Sequence, residues 1–336
     1  MRFAFVVLGV FSLAAAAQTR KSGSPLEALP KNVEMLAHFG ERADFSPAND
    51  AVAFMAKSFG DAFTIDLKTR VIRCLTCNVP GAAFLRVMHL SNGDYLLIGP
   101  ERFVDVRESR HRDNELWLLR RVAGAKPVKL GQKMSEGAAV SKRSMKIAFS
   151  QTAGQNPALP RGASRLIVAE LDPAAGALRN AKVAHESASN ACTLEAQDFF
   201  DNDRKLTYTC YEPKDGASVY VIDLETGKIT PQSASIGAYN EVEGIFPDGL
   251  HTCVESDQHA QRAGWSGGFR NIDVWKLRLD GTGKHFERLT FFNDYEGWKA
   301  SNPVVSTDGR WLAFQAAKTA DEAGVGYGIL LMRLGR

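Results

Sequence analysis

Beyond its first residues the chain has no apolar run long enough to cross a bilayer, which takes about 20 residues as a helix. The one extended run, residues 3–17, is shorter and is interrupted by Gly9 and Ser12. An excess of one charge is also missing: 41 basic residues stand against 38 acidic, a net charge of +3. That balance gives no electrostatic footprint for nucleic acid or for an anionic membrane surface. Long amphipathic helical stretches are absent, as are a Gly-x-Ser-x-Gly elbow and a phosphate-binding glycine loop. His259 has no partner histidine at metal-ligand spacing, so neither a metal nor another cofactor is expected. Cysteine is scarce, and its count of five is odd, so at least one thiol has no partner within the chain. Cys74-Leu75-Thr76-Cys77 has the spacing of a redox pair, but no βαβ pattern surrounds it, which favours a structural role.

What is present begins with Arg2, then the apolar run, then Ala15-Ala16-Ala17 before Gln18. A positive start, an apolar centre and small residues at the end form a secretory signal peptide over residues 1–17. The mature protein is therefore expected to be soluble and periplasmic or secreted, where disulfides are permitted. Residues 18–30, rich in Ser, Gly, Lys and Pro, read as a flexible tail. That leaves residues 31–336 for a single domain.

Short β-rich runs separated by turn residues fill that domain. One unit recurs. Asn302-Pro303-Val304-Val305-Ser306 leads through Thr307-Asp308-Gly309-Arg310 to Trp311-Leu312-Ala313-Phe314. Phe246-Pro247-Asp248-Gly249 repeats the phrase, and looser copies start near Ser46, Leu90, Ser141 and Phe200. The Asp-Gly pair suggests a two-residue hairpin with positive φ angles. A third strand follows in every copy, at 62–67, 115–119, 165–169, 219–224, 272–277 and 327–331, and a fourth is visible in several. Six copies of four antiparallel strands predict an all-β, six-bladed propeller. The last copy lacks a fourth strand of its own, and residues 32–38 can supply it, closing the ring.

The phrases Ser-Pro-Ala-Asn at 46–49, Phe-Pro-Asp-Gly at 246–249 and Ser-Thr-Asp-Gly-Arg-Trp-Leu-Ala-Phe at 306–314 resemble the repeat of TolB-like propellers. The stretches 240–244, 291–295 and 324–328 also resemble a narrower group, secreted bacterial and fungal propellers called saponin hydrolases. The first resemblance implies fold, and leaves function open. The second implies cleavage of a glycoside, with no catalytic motif to carry over.

The repeat frame places the starts of the inner strands at one channel mouth and the Asp-Gly turns at the other face. Five residues before Ser306 and its equivalents stand Glu41, Leu85, Glu136, Glu195, Glu241 and Ser301. Arg42, Arg86 and Asn302 follow one residue later, and Glu243 and Lys299 lie close by. Long loops at 99–114, 151–164, 255–271 and 316–326 reach the same face and carry Asp257 among other polar residues. Packed carboxylates separate one another's pKa values, the division of labour that glycoside hydrolysis uses. Glu136, Glu195, Glu241 and Glu243 are therefore the candidate catalytic residues. Glu41, Arg42, Arg86, Asp257, Lys299 and Asn302 are the candidate ligand-binding residues, with Arg42, Arg86 and Asn302 expected on the rim.

Three functions remain open on this reading: a hydrolase of a glycoside or glycan, a non-catalytic propeller binding an envelope protein or ligand, and a polysaccharide lyase using Arg42, Arg86 and Lys299. Cys192 and Cys210 flank neighbouring strands near one face and are expected to form a disulfide. Cys253 falls inside a second strand and is expected as a buried free thiol.

Overall fold

A computed structural model describes residues 19–213, 216–233, 238–321 and 324–335. The expected signal peptide, residues 1–17, lies outside the described residues. The β-rich runs form six antiparallel sheets of four strands. Their innermost strands are Glu41–Phe45, Arg86–His89, Ala138–Val140, Thr193–Phe200, Asn240–Ile245 and Trp298–Val305. Blades one to five each run outward through four consecutive strands. In blade six the outermost strand is Val33–Ala37, paired with Ile329–Arg333, so the chain's beginning completes its end. The pairing satisfies backbone groups that an open edge would leave exposed.

Blades hold together through apolar side chains between their faces. Phe54 and Val52 of blade one share a cluster with Ala313 and Leu331 of blade six. Ile98 and Leu116 of blade two meet Ile147 and Phe149 of blade three. Phe314 and Leu312 of blade six meet Val274 and Cys253 of blade five. Comparable clusters join the remaining neighbours, so the ring is closed by packing as well as by pairing. Fully burying each such Phe or Leu contributes about 1.5–3 kcal/mol.

The turn at the far face differs from the expected two-residue hairpin. Strand pairing stops at Val305 and resumes at Leu312, and Gly309 N–H donates to Ser306 C=O at 2.9 Å. Only Gly309 of the Asp-Gly pair has positive φ, at 69°. Ser306 Oγ accepts from Trp311 N–H at 3.0 Å and donates to Asp308, replacing the ladder bonds that the wider connection forgoes. Asn49, Gly93 and Gly249 take the same place in their blades, all with positive φ.

Residues 20–29, read as part of a flexible tail, are instead seated on blades five and six. Arg20 donates to Asn271 and Asn293 and lies over the Trp265 ring, and Leu26 and Leu29 pack on the blade-six core. The sparse apolar residues of that segment are what anchor it. Cys192 and Cys210 are joined by a disulfide with Cα atoms 5.3 Å apart, and a second bridge joins Cys74 to Cys77. Cys253 is free and buried, and burial pushes its thiol above its ordinary range. No helix among the described residues is long and apolar enough to cross a membrane.

A chain that begins at His38 loses the outer strand of blade six together with Leu26 and Leu29. It should elute as soluble aggregate in size-exclusion chromatography and lose its cooperative thermal transition. A monomer with unchanged melting would show that the ring does not depend on this closure.

Candidate functional site

The inner strands do not run regularly along the axis. Pairing register slips between Glu41 and Asp44, Ala196 and Asp198, Val242 and Ile245, and Ser301 and Val304. Each slip is a bulge, which turns one extra residue toward the channel. Two of the extruded residues take the left-handed backbone conformation, Arg42 with φ 54° and Asn302 with φ 47°. For arginine that conformation costs about 1–2 kcal/mol, a strain the surrounding blades must hold.

On the face away from the turns the strand ends enclose a cavity of about 370 Å³. Glu41, Glu136, Glu195 and Glu241 all line it, with Glu255, Tyr211 and Tyr239. Lys299 lines it too, donating from Nζ to Phe269 C=O at 3.0 Å. Arg42, Arg86 and Asn302 are not on the rim: they line this cavity and the next one along the axis, forming the throat between them. The bulges account for Arg42 and Asn302, which they set one step deeper than a regular strand would, whereas Arg86 reaches the throat from a strand that pairs without a slip. Glu243 belongs to the throat side as well, lining the deeper cavity and accepting from Asn302 Nδ2 at 3.3 Å. Asp257 does not line either cavity. Its oxygens accept from Tyr239 N–H, Gly268 N–H and the Gln261 amide, so it folds the 255–271 loop.

The carboxyl groups fall into two states. Burial alone would raise Glu136, but Arg110, whose Nε lies 3.1 Å away, and then Arg42, Arg86 and His111 hold it below the usual carboxylate range. Burial pushes Glu195 and Glu241 up to about 7, and neighbouring carboxylates add to the shift. Burial and then Glu241 carry Glu243 well above the usual range. Burial likewise raises Glu255, against the pull of Lys299, and lowers Lys299 itself.

Tyr211 connects the raised pair. Its hydroxyl lies 2.7 Å from Glu195 Oε2 and also contacts Glu241 Oε1, while Tyr239 donates to Glu241 Oε2. Burial, then Glu195 and Glu241, keep the Tyr211 phenol protonated. One phenol has one proton to donate, so contact with two carboxyl groups requires one of them to be the acid and donate back. Glu195 also accepts from Arg86 at 3.2 Å. Any side chain at Gly137 would overlap Glu195, so blade three needs glycine there to approach the pair. Glu41 accepts from Ser58 Oγ at 2.6 Å, and its other oxygen has no partner among the described residues.

Tyr211, Tyr239 and Arg110 are site residues that the repeat frame does not single out. Tyr239 stands two residues before Glu241 and was within reach of the frame. Tyr211 ends a second strand and Arg110 comes from the 99–114 loop, where only tertiary structure brings them in. The one metal-type grouping among the described residues, Asp61 with Cys74 and Cys77, has both sulfurs in a disulfide.

No protein-family model and no curated protein matches the chain. Solved structures do. A TolB-type protein of Agrobacterium tumefaciens aligns over 76% of this chain and 77% of its own at 16% identity, TM-score 0.54. A calcium-binding protein, regucalcin, of the same organism aligns over 89% and 92% at 12% identity, TM-score 0.53. An oligogalacturonate lyase in complex with manganese aligns over 88% and 78% at 13% identity, TM-score 0.52. At such identities the likeness is one of fold, a six-bladed propeller.

A carboxyl whose pKa is raised by folding binds its proton more tightly folded than unfolded. Its stabilising contribution is complete below the unfolded value of 4.5 and is lost as pH rises through about 7. Glu241→Gln keeps the shape and removes this dependence. Its melting temperature at about pH 9 should exceed that of the wild type, and the gap should shrink toward about pH 5. A constant gap would mean that Glu241 is not a raised acid.

Proposed function

We propose that the protein is an exported hydrolase that cleaves a glycosidic bond at the channel mouth. The observation that carries this reading is the convergence on one cavity of Glu136, paired with Arg110, and of Glu195 and Glu241, linked through Tyr211, surroundings that push the carboxyl pKa values apart. Glycoside hydrolysis needs one carboxyl group that gives a proton to the leaving oxygen and one carboxylate that attacks or activates water. The Glu195–Glu241 pair, holding a proton near neutrality, serves as the acid. Glu136, kept charged by its arginines, serves as base or nucleophile. Arg42 and Arg86 on the cavity floor, with Lys299, would hold hydroxyl or carboxylate groups of the sugar. About 370 Å³ lies within the range of small-ligand sites.

The test is a panel of neutral and uronic aryl glycosides, assayed with wild type, Glu136→Gln, Glu195→Gln and Glu241→Gln. On a cleaved substrate, kcat/KM should stay level below pH 7 and fall as pH rises through about 7, when the pair loses its proton. Replacing the acid or Glu136 should lower it by about 10²–10⁴-fold with melting retained. Full activity in all three variants would leave the carboxyl groups as binding groups at most, and the TolB-like reading of a non-catalytic binding propeller would take over.

One observation favours a lyase as second reading. Burial lowers the Lys299 ammonium, and Arg42 and Arg86 line the same cavity, which suits a base acting next to a neutralised uronate. An oligogalacturonate lyase shares the fold. An unsaturated product absorbing in the ultraviolet, formed from a uronic-acid polymer and lost in Lys299→Met, would select it.

Two disulfides support export, since such bonds persist outside the reducing cytosol. Mass spectrometry of the protein recovered from the periplasm or medium should find Gln18 as its first residue. A chain retaining Met1 in the cytosol would refute this.

A further inference from the structure

The throat opens on its far side into a second cavity of about 380 Å³, on the face of the Ser306–Gly309 turns. The proposed hydrolysis makes no use of it. Its lining includes the apolar side chains of Val87, Val140, Phe199, Ile245 and Val304, interspersed with polar groups such as Asp44, Lys142 and Asp198. Its inner end is polar and is bordered by Gln197, Arg42 and Arg86. Gln197 is the extra residue of the blade-four bulge, standing between the paired Ala196 and Asp198. It is 6% exposed, and its Nε2 amide is buried with no hydrogen-bond partner among the described residues. The Nε atoms of Arg42 and Arg86, residues 8% and 9% exposed, are likewise buried without a hydrogen-bond acceptor, Arg42 Nε having only the longer ion pair to Glu41 at 3.7 Å. A buried donor without an acceptor is costly, so such donors gathered around one cavity mark a place for acceptor atoms. Cations nearer the opening are engaged elsewhere: Lys142 donates to both oxygens of Asp44 at 2.8 Å, and Arg143 contacts Asn202.

We propose that this cavity is a second ligand site, taking a compact apolar molecule that ends in a carboxylate. The apolar body lies along the walls and the oxygens accept from Gln197, Arg42 and Arg86. A carboxylate offers about four lone-pair sites and matches a guanidinium edge. The charge of Asp44 is matched by Lys142, Asp203 accepts from Ser141 and Ser144, and two further acids do not oppose the ligand, because burial holds Glu243 protonated and lifts Asp198 to about 7. The cavity's size falls within the range of small-ligand sites.

The probe is naphthoate, with naphthalene as its counterpart lacking oxygens, titrated into the full chain at about pH 6, where both acids stay protonated. Ligand-observed NMR and fluorescence report binding. Naphthoate should bind one-to-one, at least about tenfold tighter than naphthalene, as expected for hydrogen bonds to charged groups. Gln197→Leu should weaken naphthoate and leave naphthalene unchanged. Ile245→Trp, which fills the far cavity from a partly exposed position, should abolish binding of both, whereas Thr193→Trp at the other mouth should not. Thermal melting verifies that each variant is folded. Equal affinity for the two probes, no binding at millimolar concentration, or loss of binding in Thr193→Trp alone would overturn the proposal.

Discussion

Carboxyl groups brought together at the axis of a ring cannot all remain charged. Glu136, Glu195, Glu241 and Glu255 meet in one cavity, with Glu243 just beyond the throat, and burial penalises charge on every one of them. The cations present are enough to keep some of them ionised. Arg110, Arg42 and Arg86 keep Glu136 charged despite its burial. Glu195 and Glu241 share Tyr211 and rise to about 7, and Arg86, surrounded by these acids, is held in its charged form despite its own burial. The site's division into a charged carboxylate and a proton-holding pair follows from this competition rather than from any one residue.

The bulges turn that competition into two compartments. In an unbroken strand, residues two apart share a face. With register slipping after Val242, Glu241 lines the mouth and Glu243 the deeper cavity. Arg42 and Asn302, strained into positive φ, form the floor of one cavity and the ceiling of the next. Asn302 ties the two levels together: its backbone N–H donates to Glu255 and its amide donates to both Glu255 and Glu243.

Such strain persists only where the surroundings over-determine the backbone. The apolar clusters between neighbouring blades provide that rigidity, and Val33–Ala37 closes the last edge. Loops seated on this frame then bring in side chains from outside the repeat. Arg110 arrives from one of them, and Asp257 spends its oxygens on holding another in shape.

The sequence by itself determined the ring. Alternating apolar residues and a turn phrase recurring six times are local signals, and they specified four-stranded blades, their number and the closing role of residues 32–38. The frame also carried Glu136, Glu195 and Glu241 to one mouth, because equivalent slots of equivalent strands must face the same axis. Tertiary structure alone decided the rest. A bulge leaves little mark on hydrophobic alternation, so the depth of Arg42 and Asn302, the separation of Glu243 from Glu241 and the position of Gln197 were not legible. Asp257, plausible as a loop carboxylate, is consumed by backbone donors that only the folded loop presents. Protonation was equally out of reach of the sequence, since it depends on which cation stands beside which carboxylate once water has been excluded.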